Sequence, residues 1–204
     1  MRTEVKKPKE TPEAEIRAYT IGELKPQAGP IVIADYNADW PSFFEREAAR
    51  VRRILGDRVR LLEHAGSTSV VGLPAKPIID MVLAVPDSSD EVTYVPDMEL
   101  GGYVLRIREP HWFEHRVFNA LDTKVNLHVF TADCPEIAQM LLFRDWLRSH
   151  PEDRDLYAAT KRELVKREWK FVQHYADAKT EAVHEILARA RAGKEFHGGF
   201  DVDR

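Results

Sequence analysis

The sequence predicts an α+β protein, with an α/β part at residues 31–131 followed by a helical part at residues 135–192. Three observations lead there. Short β-branched or alternating apolar runs recur at residues 31–34, 59–64, 78–85, 103–107, 112–119 and 125–130, the pattern of strands. Beyond Pro135 the apolar residues change to helical spacing, with Ile137, Met140, Leu141, Trp146 and Leu147 on one side. Between the second and third runs lies a compact unit with glycines at 66 and 72, a lysine at 76, and an acid, Asp80, that opens an otherwise apolar run.

Taken in order, residues 1–15 are rich in Lys, Glu and Pro and read as a loosely held arm. Residues 16–30 are transitional, punctuated by Pro26, Gly29 and Pro30. After the strand at 31–34, Asp39 is placed to cap a helix with Pro41 in its first turn. Phe43, Phe44, Val51, Ile54 and Leu55 carry that helix to Gly56. The strand at 78–85 is more uniformly apolar than the one at 59–64, as expected where both sheet faces are covered. Between them the spacing predicts a turn and a short helix ended by Pro77. A helix is expected within 88–100, with Pro96 at its boundary. Residues 119–123 suit a hairpin. Helices follow at 135–150, 152–168 and 172–192. Gly193 is expected to stop the last, leaving a tail at 193–204.

The totals bound the function. The 204 residues suit one domain, residues 16–192. A net charge of -4 gives no overall basic field for nucleic acid. A single cysteine, Cys134, forms no disulfide within the chain, which suggests a reducing, cytoplasmic setting. The first residues lack the apolar core of a signal peptide, and no apolar run reaches membrane-spanning length. Oligomeric state is not legible.

The chemistry-bearing residues each have a plain alternative. Gly66-Ser67 can cradle a phosphate with backbone N–H groups and a hydroxyl, or simply turn the chain. Asp80 shares a strand face with Ile78, Val82 and Ala84. A carboxylate there suits a hard divalent cation, or is a buried acid held by donors such as Lys76. Asn126 and His128 share a face with Phe130, opposite Val125, Leu127 and Val129, which suggests a wet cleft. His128 is a candidate metal ligand or general base, against a structural histidine. Arg116, beside His115, is a candidate phosphate clamp, against a salt bridge with Glu114. His64 and Arg144 are weaker candidates. The basic run Lys161-Arg162 to Lys166-Arg167 is interleaved with Glu163 and Glu168 and reads as a solvated helix face.

Gly66-Ser67, a twelve-residue spacer and an acid in a strand together resemble the nucleotidyltransferase superfamily. More closely, residues 64–80 resemble the GrpB-like family within it, and the likeness continues through Asp35-Tyr36 with Trp40-Pro41, Gly102-Tyr103, His115-Arg116, 126–129 and 143–151. This resemblance implies a mixed sheet flanked by helices, with a helical C-terminal portion. It also implies a nucleoside triphosphate as substrate, held by Gly66, Ser67, Lys76 and Asn126, with magnesium or manganese at Asp80. Active members carry a second acid two residues on and a third on a later strand. Here those positions hold Val82 and His128. Two functions follow as expectations: transfer of a nucleotidyl group to an acceptor, with Asp80, His128 and Arg116 as catalytic residues and Asp80 and His128 as metal ligands, or a catalytically degenerate module that binds a nucleotide or phosphorylated small molecule.

Overall fold

A computed structural model describes residues 10–197 of the chain, without the side chains of 194–197. Five strands form one mixed sheet: β1 (Leu61–Ala65), β2 (Ile79–Val85), β3 (Tyr103–Glu109), β4 (His115–Ala120) and β5 (Val125–Thr131). Their spatial order is β1-β2-β5-β4-β3, with β2 and β5 parallel and every other pair antiparallel. Asp80 pairs with Asn126, and Val82 with His128.

The two sheet faces have different fates. Helices α2 (Trp40–Leu55) and α3 (Val95–Leu100) cover one. Trp40, Phe44, Val51 and Leu55 pack there against Met81, Leu83, Leu127 and Val129. The opposite face carries Ala65, Val82, Ala84 and Phe130 under Ile137 of α4 (Pro135–Ser149). That cover is partial. Beyond it, Asp80, Asn126 and His128 look into a cleft roofed by α5 (Pro151–Leu164), α6 (Val172–Asp177) and the break before α7 (Thr180–His197). Val70 and Leu73, from the segment between β1 and β2, enter the helical core of Leu147, Tyr157, Ala158 and Ile186. That burial clamps the Gly66-Ser67 turn between the two parts of the molecule.

Several expectations need correction. The strand at 31–34 is only a single bridge, Ala34 to Ala75, because Ile31 is drawn into a cluster with Leu164 and Tyr175. The helix α1 (Glu13–Tyr19) begins inside the segment expected to be a loose arm, anchored by the buried Ile16 and by Thr11 N–H donating to Asp177 at 2.7 Å; residues 1–9 lie outside the described residues. The Asp39 side chain makes no cap bond to α2. Instead its N–H donates to Asn37 Oδ1 at 2.9 Å. The helix within 88–100 is a 3-10 turn at Glu91–Thr93 and then α3, with Pro96 in its first turn. Strand β4 starts three residues late because Phe113 and Glu114 turn the chain with φ of 55° and 50°. The last helix is broken between Asp177 and Thr180, and it does not stop at Gly193. Gly193 serves a close approach instead: a Cβ there would stand 2.8 Å from the Trp146 ring. The rest of the expected tail, 198–204, lies outside the described residues.

Candidate functional site

The cleft is a cavity of ≈ 560 Å³ whose walls include Gly66, Ser67, Lys76, Asp80, Asn126 and His128. Six of the seven main candidates from sequence therefore meet in one place, while the weaker candidates His64 and Arg144 line a separate cavity. The exception is Arg116. It pairs with Val129, on the sheet face covered by α2 and α3, so it points away from Asp80. There it is 4% exposed and its Nε donates to Glu91 at 2.6 Å, with Glu114 at 3.2 Å. Arg116 is a structural ion pair, not a clamp on a ligand in this cavity.

Gly66 sets the geometry of the turn. Its φ of 63° and ψ of -172° lie in a region open essentially to glycine alone. A Cβ would stand 2.8 Å from the Cβ of Asp80 and closer still to its carboxylate. The backbone thus passes directly over the acid. Ser69 Oγ closes the turn by donating to the Gly66 carbonyl at 2.6 Å. Asp80 Oδ1 accepts from Asn126 Nδ2 at 2.8 Å, and Asn126 Oδ1 accepts from Asn119 Nδ2 at 2.9 Å. Burial pushes the Asp80 carboxyl above its usual range, against the opposing pull of Asn126 and three lysines.

Two of those lysines come from the helical part. Lys161 of α5 is 3% exposed, donates to Ser67 Oγ at 3.0 Å and to the Pro74 carbonyl, and sits 4.7 Å from the centroid of the Tyr157 ring. Lys179 lies in the break between α6 and α7 and lines the cavity. Lys76 completes the set. Lys76 and Lys179 line the cavity and make no hydrogen bond or ion pair among the described residues; the Lys179 ammonium lies 4.8 Å from the centroid of the Tyr175 ring. Burial lowers all three lysines, Lys161 to about 7; repulsion from Lys179 adds to the effect at Lys76 and Lys161, and Asp80 opposes it at all three.

The solvated face expected for residues 161–167 is therefore wrong at Lys161. Its signal was present: Lys161 continues the stripe of Tyr157, Ala158 and Leu164, all buried on α5. A lysine on the apolar stripe of a helix is the cue. Lys179 gave no such cue, since it falls in an irregular break.

These donors do not suit a resident divalent ion. Among the described residues no group of three or more His, Cys, Asp or Glu could hold a metal. Three ammonium groups around one carboxylate also repel a divalent cation. His128 turns its Nδ1 to His115 Nε2 at 3.0 Å, and burial with the neighbouring imidazole lowers it to about 3, so it is neutral. His64 is likewise neutral, lowered by burial to about 4, stacked on Phe44 and bonded to Thr68. A second cavity of ≈ 560 Å³ lies on the far side of the turn, lined by Arg144, Arg148 and Arg154. There Arg144 is already held by Glu63 at 2.8 Å and Asp145 at 2.7 Å.

A mixed sheet with a Gly-Ser turn laid over an acid on its second strand is a nucleotidyltransferase-like arrangement. Comparison with known proteins narrows this. The family model described as GrpB protein matches residues 30–189, and the chain belongs to the GrpB family. It is 57% identical over 178 residues to a UPF0157 protein of Halalkalibacterium halodurans, covering 87% of this chain and 91% of the relative. A UPF0157 protein of Streptomyces coelicolor is 40% identical over 169 residues, covering 83% and 89%. The crystal structure of the conserved protein GrpB from Enterococcus faecalis matches with a TM-score of 0.70 at 28% identity, covering 78% of this chain and 96% of that one.

Proposed function

We propose that the cavity binds a phosphate-bearing ligand, a nucleoside triphosphate or a phosphorylated small molecule, and that lysines rather than a resident metal supply the positive charge. The observation that carries this is the pair of ammonium groups, Lys76 and Lys179, that make no hydrogen bond or ion pair among the described residues and line one cavity with Lys161 and Ser67, Lys179 resting only on the Tyr175 ring. Buried cations without counter-ions are costly unless an anion meets them. A polyphosphate supplies several charges at once, and Ser67 beside the turn supplies a hydroxyl donor.

Nucleotidyl transfer is the second reading, favoured by the presence of Asp80 and His128 on the same wall. Phosphoryl-type transfer rests on positioning and charge stabilisation, and lysines provide the latter in part.

The test is calorimetric titration of ATP, pyrophosphate and phosphate into the full chain, in EDTA, for wild type, Asp80→Ala and Lys179→Met. The proposal expects metal-independent binding, strongest for the polyphosphates, and at least about tenfold weaker in Lys179→Met, or 1.4 kcal/mol. Binding that requires magnesium and disappears in Asp80→Ala contradicts it and supports the metal-dependent alternative. A parallel assay for pyrophosphate release with hydroxyl acceptors decides on transfer.

A further inference from the structure

Three side chains outside the lysine cluster form a line that ends in the same cavity. Glu109, at the end of β3, has Oε2 2.7 Å from His115 Nδ1. His115 Nε2 is 3.0 Å from His128 Nδ1. The two imidazoles are nearly parallel, 5.2 Å between centroids and 9° between planes. Phe130 stacks on His115 at 4.6 Å, and Trp112 meets it edge-on at 4.8 Å. The turn at Phe113 and Glu114 folds Trp112 back onto the ring, and His115 is 4% exposed. This packing leaves His115 one orientation.

Hydrogen-bond polarity then propagates along the line. The Glu109 carboxylate only accepts, so His115 Nδ1 carries a proton. In neutral His115, Nε2 is then a bare lone pair, and the proton between the rings belongs to His128 Nδ1. His128 Nε2 is left without a proton. It has no hydrogen-bond partner among the described residues, yet no buried side-chain nitrogen there is unpartnered, so Nε2 is open to the cavity that His128 lines.

We infer that Glu109 and His115 are positioning residues that fix His128 as a bare Nε2 acceptor, matched to a ligand group that donates a proton, such as an acceptor hydroxyl. This rests on the cavity being a ligand site, although its test needs no ligand. The line also completes a proton path. As the ligand O–H bond breaks, a bond forms to His128 Nε2. His128 Nδ1–H passes to His115 Nε2. The result is a ligand oxyanion and a His115 imidazolium beside the Glu109 carboxylate. His128 alone is a poor proton holder because burial disfavours its cation; the path puts the charge beside Glu109 instead. Tyr19 of α1 also lies near Glu109, and Asp80, Lys76, Lys161 and Lys179 line the same cavity as His128.

The experiment is long-range 1H–15N NMR of the histidines above their titration range, in wild type, Glu109→Leu and Glu109→Gln. Wild type is expected to show His128 protonated at Nδ1 and bare at Nε2. Glu109→Leu removes the fixed acceptor, so both rings are expected to move toward the intrinsically favoured Nε2–H tautomer, inverting His128. Glu109→Gln keeps a carbonyl acceptor and is expected to retain the wild-type tautomer. An Nε2–H His128 in wild type, or no change in Glu109→Leu with amide spectra showing a folded chain, overturns the inference. ATP binding by the same variants, read separately, shows whether the cavity itself is at fault.

Discussion

At the scale of single residues, the Asp80 carboxylate is set among Lys76, Lys161 and Lys179, with Glu23, Lys25 and Arg106 also lining the cavity, and each side chain has a distinct consequence. Gly66 is the most constrained. Replacement by alanine places a Cβ against Asp80 at a backbone conformation reserved for glycine. Urea denaturation of Gly66→Ala is expected to show a loss of about 2 kcal/mol or more; a change within about 0.5 kcal/mol would mean the turn relaxes freely. Lys161 gives the site a pH dependence. Its ammonium is lowered to about 7, so it is charged below that pH and neutral above. Phosphate-ligand affinity is expected to fall as pH rises through about 7, and the difference between wild type and Lys161→Met, measured across that range, isolates the effect from the ligand's own titration. The stability sign is opposite. An unfolded lysine keeps its proton to its ordinary 10.5, so between about 7 and 10.5 the unfolded chain binds more protons, and stability relative to Lys161→Met rises with pH.

At the scale of elements, strand periodicity and turn chemistry were legible, and long-range contacts were not. Residues 78–85 and 125–130 read correctly because a period of two survives any context, and it put Asn126 and His128 on the right face. Arg116 failed because an arginine on a strand looks the same whether it faces a ligand or Glu91, and only the register with Val129 decides. Residues 31–34 failed because β-branched character does not distinguish a strand from a segment pulled into a helical cluster. Gly193 shows the same limit. As a stop signal it was reasonable, but α7 needs it where Trp146 of α4 comes close. An alanine usually stabilises a helix interior by about 1 kcal/mol over glycine. Here Gly193→Ala is expected to lower the melting temperature, since the added methyl meets a large ring; a rise would place the Trp146 contact in doubt.

At the scale of the whole molecule, the cavity belongs to neither part alone. The sheet supplies Asp80, Asn126 and His128, the connecting segment supplies Gly66, Ser67 and Lys76, and the helical part supplies Lys161 and Lys179. Among the described residues no helix is long and apolar enough to cross a membrane. A ligand gripped from both sides should stabilise the molecule as a unit. Thermal unfolding with polyphosphate at a hundredfold excess over its dissociation constant is expected to gain about 2.7 kcal/mol, and the gain should shrink in Lys179→Met. The most direct test of the lysine-lined site is a crystal structure of the full chain with pyrophosphate, grown without divalent ions. The account predicts an anion between Ser67, Lys161 and Lys179, above Asp80. Pyrophosphate bound instead among Arg144, Arg148 and Arg154, with the lysine cavity empty, would contradict it.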